Sequence, residues 1–424
     1  MTVTESSLSP DRAAALAGPD WLRNRRRAAA ELLATAVWPT EAAEEWRYSP
    51  IDELDLHSFV PTAVAGSATP IRLATAAGTI DLANGVATSI DVAPEHAARG
   101  VRLARLADLD DGESFVGELP GADDPLGLMV AAFAPDPVVL QIPAGLTLAD
   151  ELVVSSSIEV GSSNDTPPSV LTQVIVDAGP DSEVTVVIVD ASARADALHV
   201  PRVDVRIGPA ARVRVAALQD LGSGVTSLGR MQVTIADQAT FAGWTAGLGG
   251  GFARQRVDCR LEGRGSAADF SAAYFGHDRQ VLDYRMFVDH IGADTTSNLL
   301  FSGVVDDEST AIYTGMIHIH PDARGSNAYQ TNRNVKLSDD AWTESVPNLE
   351  IENNDVHCSH ASTVGPVDED QLFYLESRGV PTDVAVKLIV SGFFGEVLGK
   401  CPVAMLADRA RASIADLLQR VEDT

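Results

Sequence analysis

A repeat of about 29 residues is the feature of this sequence that most restricts its fold. Between residues 138 and 362, short runs rich in β-branched residues end at small turns. The last apolar residue before each turn recurs at spacings of 28, 26, 30, 28 and 32 residues, at Ile207, Ile235, Leu261, Ile291, Ile319 and Ile351. Alternation inside each run is typical of strands, and this period indicates stacked coils that share one core. The repeat predicts a parallel β-helix, and an antiparallel sandwich with shorter strand spacing is the alternative.

The alternation also predicts which side chains face the core. Cys259 alternates in step with its apolar neighbours, so we expect a buried thiol there. His318 and His320 alternate out of step with Ile319 and therefore point outward. On that face we expect ordinary surface residues rather than metal ligands.

The N-terminal part of the chain has a different character. We assign residues 1–135 to a mixed region with helices at 20–54, because apolar residues recur there at helical spacing from Trp21 to Val37. We expect a cluster of four arginines in the first helix to lie on its solvated side: Arg23, Arg25, Arg26 and Arg27. A short buried helix is predicted near Leu128.

The sequence after the repeat is predicted to be helical. We assign residues 136–365 to the β-helix core and 366–424 to a C-terminal helical domain, whose last helix runs to about Val421. Its middle helix, from Pro381 to Leu398, carries one apolar face with Ala385, Leu388, Ile389, Gly392, Phe393 and Val397. We expect part of this face to pack on the end of the solenoid and part to dock a partner.

The bulk properties exclude several classes of function. A formal charge of −29 argues against nucleic acid as a partner, because such binding depends on clustered Lys and Arg that neutralise phosphates. No apolar run approaches the ~18 residues of a membrane span, so we expect a cytoplasmic protein. Three cysteines without a CxxC motif make a disulfide framework improbable.

One of these cysteines lies between two histidines in a segment predicted to be extended. Cys358 and His360 then project from one face, about 7 Å apart. Thiolate and imidazole suit zinc and iron-sulfur chemistry, yet such a site needs about four donors, so this pair is incomplete. The alternative is a small core thiol beside an imidazole that a backbone carbonyl satisfies. The core-facing residues of the preceding coil have odd numbers, whereas Val356 has an even number. This change predicts a register break at residues 353–355. We expect the break to turn Cys358 and His360 away from the core.

Three motifs around this pair resemble one known family. They are Asn327-Ala328-Tyr329-Gln330-Thr331-Asn332-Arg333-Asn334, Val356-His357-Cys358-Ser359-His360-Ala361 and Ser391-Gly392-Phe393-Phe394-Gly395-Glu396-Val397. With Glu44-Glu45-Trp46-Arg47-Tyr48 near the start, they are similar to the SufB/SufD family of iron-sulfur cluster assembly scaffolds. Ser359 and Ala361 stand where SufB-type chains usually carry Glu, and Ser338 lies where a SufB cysteine is expected, so the resemblance is strongest to SufD.

This resemblance implies a scaffold subunit rather than an enzyme. Such a chain pairs with SufB through the β-helix and binds the ATPase SufC through its C-terminal helices. It binds no permanent cofactor, and Cys358 and His360 would contribute to a transient iron-sulfur cluster shared with SufB. The isolated chain could also form a homodimer, and the sequence does not decide whether a flavin binds the complex.

Two alternatives remain at this point. A SufB-type paralogue would hold the nascent cluster by itself. A β-helix enzyme acting on polysaccharide would need a groove of Asp with Arg or Lys on one face of the solenoid.

Overall fold

The computed structural model describes residues 7–64, 66, 70–159, 166–193 and 196–420. Its strands are β1 (Val60–Pro61), β2 (Gly78–Ala83), β3 (Val86–Val92), β4 (Arg102–Arg105), β5 (Val138–Ile142), β6 (Leu152–Ile158), β7 (Pro168–Ala178), β8 (Glu183–Ser192), β9 (Ala197–Ile207), β10 (Arg212–Asp220), β11 (Val225–Ile235), β12 (Thr240–Gly247), β13 (Phe252–Leu261), β14 (Ala267–Gly276), β15 (Val281–His290), β16 (Thr296–Val305), β17 (Thr310–Ile319), β18 (Asn327–Lys336), β19 (Trp342–Ile351) and β20 (His357–Pro366). Its α-helices are α1 (Pro10–Ala14), α2 (Asp20–Leu33), α3 (Pro94–Ala97), α4 (Pro125–Phe133), α5 (Glu369–Glu376), α6 (Thr382–Leu398) and α7 (Ala404–Arg420).

The strands form a parallel β-helix, as the repeat predicts. Within the described ranges they make two ten-stranded sheets. One contains the odd-numbered strands from β5 to β19 with β1 and β4, and the other contains the even-numbered strands from β6 to β20 with β2 and β3. From β5 onward each strand pairs in parallel with the strand two places along the chain, so two strands make one coil. We call these the odd sheet and the even sheet. Parallel pairing of this kind rejects the antiparallel sandwich.

The strand register confirms the repeat with one correction. Ile207, Ile235 and Leu261 are paired in successive strands, but the next position in this row is His290 rather than Ile291. The buried His290 ring is hydrogen-bonded to Thr295 Oγ1 at 2.7 Å and to Ser297 Oγ at 2.8 Å. Burial lowers the pKa of His290 to about 4, so a neutral imidazole occupies a core position that the hydrophobic pattern assigned to its neighbour.

The coil length is set by a turn that recurs once per coil. One residue in each of these turns has a left-handed backbone with φ between +55 and +72°: Asp181, Ala210, Gln238, Gly265, Asp294 and Gly325. Each donates its backbone N–H to the carbonyl of the residue just before the equivalent position in the next turn, as Asp181 does to Pro209. Asp and Gly tolerate this conformation better than most residues, which is why they recur at these turns.

The N-terminal region packs on the outside of the odd sheet. Helix α4 is buried, as predicted, and helix α2 ends at Leu33, earlier than the apolar spacing suggested. The prediction that all four arginines of α2 are solvated is wrong for Arg26, which is 1% exposed. Its guanidinium donates to the carbonyl oxygens of Ala17 at 2.7 Å and Pro135 at 2.9 Å. Burial lowers the pKa of Arg26 to about 10, so the side chain stays charged at neutral pH.

Arg26 is therefore expected to attach helix α2 to the rest of the chain. Replacing it with alanine leaves the buried Ala134 carbonyl and two part-buried carbonyls without this donor, so Arg26→Ala should lower the free energy of unfolding by about 3 kcal/mol. The matched control is Arg27→Ala, because Arg27 is half exposed and pairs with the exposed Asp11. That change should cost less than about 0.5 kcal/mol in the same chemical denaturation experiment. Equal losses for the two variants would contradict this role.

The C-terminal helices pack on the outer face of the even sheet, not on the end of the solenoid. Helix α6 contacts β14 and β16, and the indole of Trp244 donates to the Val397 carbonyl at 2.9 Å. The buried residues of α6 are Ala385, Val390, Phe394, Val397 and Leu398. Leu388, which the helical pattern placed on the same apolar face as Ala385 and Val397, is 52% exposed and lies outside the packed part of that face. The predicted end of the last helix at Val421 lies outside the described residues.

The domain boundaries at 135 and 365 remain a prediction. Strands β2 and β4 come before residue 136 and still extend the two sheets, because β2 pairs with β6 and β4 pairs with β5. None of the helices in the described part of the chain is long and apolar enough to cross a membrane.

Candidate functional site

The candidate metal-binding pair lies at the open end of the β-helix. Cys358 and His360 belong to β20, which is the terminal strand of the even sheet, and β19 is the terminal strand of the odd sheet. Both strands pair on one side only. The last coil therefore leaves its interior face accessible, whereas every earlier coil is covered by the next one.

The register places the two side chains on one inward face. Cys358 pairs with Ala328 and His360 with Gln330, and both partners are buried. The two side chains share one face, as the alternation predicts. That face points into the β-helix, so the prediction that the pair turns away from the core is wrong. Cys358 packs against the main core cluster together with Leu349 of β19.

The turn between β19 and β20 explains this difference. Asn353 Oδ1 accepts a hydrogen bond from the Asp355 backbone N–H at 2.8 Å, which makes a tight Asx turn. The turn changes the parity of the chain, so odd-numbered Leu349 and even-numbered Cys358 both face the core. The predicted register break is therefore present, and it keeps Cys358 facing the core instead of turning it outward.

The two donors have different environments. Burial raises the pKa of the Cys358 thiol, and a backbone hydrogen bond from Ala328 partly opposes that effect. His360 is exposed. At neutral pH the thiol is protonated, so it needs a nearby metal ion or another positive charge to become a thiolate ligand.

Polar side chains fill the coil beneath this pair. Gln330, the register partner of His360, accepts a hydrogen bond from the Tyr313 hydroxyl at 3.1 Å and donates to the Asn348 carbonyl at 3.1 Å. Buried amides of this kind are costly unless they are hydrogen-bonded, and here both ends of the Gln330 amide are paired. The floor of the open end is thus polar and ordered.

A second part of this floor lies beneath Ser362. Asn332 donates to the Tyr274 hydroxyl at 2.9 Å, Tyr274 donates to Asn334 Oδ1 at 2.8 Å, and Asn334 donates to Asn332 Oδ1 at 2.8 Å. In the sequence, these asparagines stand out only as part of a family motif, and their burial was not predicted. Their strict alternation with Gln330 in the inward phase was the signal that could have placed them in the core.

The rim of the open end carries exposed apolar side chains. Trp342 is 41% exposed, Ile351 46% and Val364 45%. Across the opening, Ser362 of β20 donates to the Ser345 hydroxyl of β19 at 2.7 Å. Two free strand edges beside exposed apolar residues form a surface that a partner strand can extend.

The other two cysteines are less suited to bind metal. Cys259 is 1% exposed, as predicted, and burial raises its pKa. Burial also raises the pKa of Cys401, to about 11, and its thiol donates to the Val403 carbonyl. Their protonated thiols pack as small apolar groups.

Charged residues also line the outer face of the odd sheet beneath the N-terminal region. Arg230 and Arg256 both pair with Asp258, at 2.8 and 2.9 Å, and Arg202 pairs with Asp204 at 3.1 Å. A polysaccharide-cleaving enzyme would need carboxylates on such a face that are free to act as acid and base. Here the arginines neutralise the carboxylates, which suits a structural role.

The similarity of the chain to known proteins agrees with this architecture. Residues 160–393 match the family model described as the SufBD core domain of SUF system FeS cluster assembly. An iron-sulfur cluster assembly SufBD family protein of Mycobacterium tuberculosis is 34% identical over 247 residues, which cover 56% of this chain and 62% of that protein. The match to a Mycobacterium leprae protein of the same description covers 60% of that relative.

Two relatives are named as iron-sulfur cluster assembly protein SufD. The Escherichia coli protein is 26% identical over 387 residues, 87% of this chain and 86% of that protein. The Bacillus subtilis protein is 30% identical over 250 residues, 58% of this chain and 57% of that protein. The chain belongs to the SufBD family of SUF iron-sulfur cluster assembly proteins. Within that family it is most like SufD.

Proposed function

We propose that this chain is a non-enzymatic scaffold subunit that pairs with SufB through the open end of its β-helix and helps to assemble an iron-sulfur cluster there. The observation that carries the proposal is the position of Cys358 and His360. They occupy the inward face of the last coil, and within the described residues no further coil stacks on it. A partner chain that docks on this end would meet both donors.

The cluster is the cargo of this site. Cys358 would supply one soft donor and His360 a second, while the docked partner supplies the remaining ligands. Because the partly buried Cys358 thiol has a raised pKa, metal binding must release its proton, which makes binding weaker as the pH falls. A half-site of two donors favours transfer of the cluster over permanent storage.

The C-terminal helices are the proposed docking site for the ATPase SufC. Helices α5 and α6 leave several apolar side chains uncovered: Phe373 at 72% exposed, Tyr374 at 55%, Leu388 at 52% and Val384 at 41%. Patches of this kind on a helical surface are typical of protein interfaces. Because α6 also packs on the even sheet, movement of a bound ATPase would be transmitted to the solenoid.

Co-purification with SufB and SufC tests the proposal. The three chains should form one complex, and anaerobic assay should detect iron and sulfide in that complex but no stable cluster on the isolated chain. A stable cluster at one per monomer on the isolated chain would instead indicate a SufB-type role. A homodimer that excludes SufB would contradict the pairing.

A further inference from the structure

A second group of possible metal ligands lies on the outer face of the odd sheet. Asp289 of β15 pairs in register with His318 of β17, and His320 follows just beyond the end of β17 with its ring centroid 4.0 Å from that of His318. The outward orientation of the two histidines agrees with the sequence pattern. Their proximity to Asp289 could not be read from the sequence, because the three residues come from two coils.

The distances within this group suit a metal ion better than hydrogen bonds. Asp289 Oδ1 is 3.5 Å from His318 Nδ1 and 3.6 Å from His320 Nε2, and the three candidate ligand atoms all lie within 4.8 Å of one another. Neither contact with Asp289 is short enough for a good hydrogen bond. In a tetrahedral site with bonds of about 2.0–2.1 Å, ligand atoms lie roughly 3.3–3.5 Å apart.

The remaining ring atoms are arranged as in known metal sites. His318 Nε2 is 2.6 Å from Glu352 Oε1, so its proton is held on the nitrogen that points away from Asp289. A metal-binding histidine usually donates its other N–H to a carboxylate in this way. His320 Nε2 is buried and has no hydrogen-bond partner among the described residues. An unpaired imidazole nitrogen therefore faces the same space as the Asp289 carboxylate.

Local charge also favours a cation. Glu350 is the register neighbour of His318 on the other side, so three carboxylates surround the two rings. Arg260, the register neighbour of Asp289, is paired with Glu262 at 2.9 Å. His318 and His320 are 23% and 35% exposed in their side chains, which leaves a path for an ion from solvent.

We propose that Asp289, His318 and His320 bind one divalent transition-metal ion such as Zn²⁺ or Fe²⁺, with Glu352 orienting His318. Two imidazoles and one carboxylate are a common ligand set for these ions and leave one or more positions open. The site does not depend on the proposed function. It lies on the odd sheet and faces outward, whereas Cys358 and His360 lie on the even sheet and face inward.

The test is a Co²⁺ titration of the full chain carrying Cys358→Ala and His360→Ala, which removes the other candidate donors. Co²⁺ reports four- or five-coordinate binding by strong visible absorption. We expect one ion per chain. His320→Gln and Asp289→Asn should each lower the affinity by at least about 100-fold, and Glu352→Gln by about 10- to 100-fold. His57→Gln, at an exposed histidine elsewhere, should leave the affinity unchanged.

Three results would overturn this proposal. The first is the absence of a saturable Co²⁺ spectrum, which would mean that these groups are only paired by charge. The second is an unchanged affinity in both His320→Gln and Asp289→Asn. The third is a loss in Glu350→Gln with none in Asp289→Asn, which would assign the ion to the alternative group of His318, Glu350 and Glu352. Circular dichroism of each variant checks that the solenoid is folded.

Discussion

Ser362→Pro is expected to weaken the pairing of this chain with SufB by about 30- to 150-fold. His357 donates its backbone N–H to the carbonyl of Ser326, which lies just before β18. Successive N–H groups along a strand point to alternate sides, so those of odd-numbered residues point to β18 and those of even-numbered residues point away from it. The N–H of Ser362 therefore points to the free edge. Proline removes that donor and places a ring where a partner strand would lie, at a cost of about 2–3 kcal/mol.

The same reasoning supplies the control. Ser362→Ala keeps the backbone N–H and loses only the hydrogen bond to Ser345, so it should bind SufB almost as the wild type does. The isolated proline variant should remain folded, because proline is tolerated on an edge strand where its nitrogen faces solvent. Affinities measured by surface plasmon resonance would decide the question. Equal affinities for the two variants would show that the free edge of β20 is not the pairing surface.

Phe373→Ala combined with Leu388→Ala is expected to abolish most of the affinity for SufC. Phe373 on α5 and Leu388 on α6 are both more than half exposed. Hot-spot residues at the centre of an interface cost about 2 kcal/mol or more each when they are truncated, so the double variant should bind SufC roughly 1,000-fold more weakly.

Leu32→Ala is the matched control for this pair. Leu32 is 39% exposed on helix α2. This helix packs against the other N-terminal helices α1 and α4, not against the C-terminal helices. Isothermal titration with SufC should detect no change in this variant. A double variant that binds SufC as tightly as the control would place the ATPase elsewhere. Thermal unfolding should be nearly unchanged in both, because none of these side chains is buried.

The repeat made the fold predictable. Alternating apolar residues followed by turns at a nearly constant spacing specify coils, and the left-handed turn residues such as Asp181 keep the coils in register. The exception at His290 shows the limit of this reasoning. A hydrophobicity pattern assigns the core position to the apolar Ile291, whereas the structure buries an imidazole whose two nitrogens are both hydrogen-bonded.

The packing of the flanking regions was less predictable. A helix with several arginines does not reveal which one is enclosed by other segments, and Arg26 is buried because carbonyls from residues 134 and 135 surround it. Leu388 recurs at helical spacing with the buried residues of α6, yet it lies at the border of the packed face and is largely exposed. In both cases the deciding contacts come from segments that are distant in the sequence.

The candidate site was predictable in part. The alternation placed Cys358 and His360 on one face, and the family resemblance supplied a reason for the missing donors. The polar floor under them depends on pairing between β18 and β20, which the sequence alone did not show. The group around Asp289 and His318 was missed for the same reason, since residues 29 positions apart meet only when the coils stack.

The most direct test of the central claim is the iron and sulfide content of the complex reconstituted with SufB and SufC. We expect Cys358→Ala with His360→Ala to leave the complex intact and to lower the cluster yield severalfold. His357→Ala, an exposed histidine on the opposite face of β20, is the control and should leave the yield unchanged. An unchanged cluster yield in an intact complex of the double variant would contradict the claim that this pair forms half of a shared site.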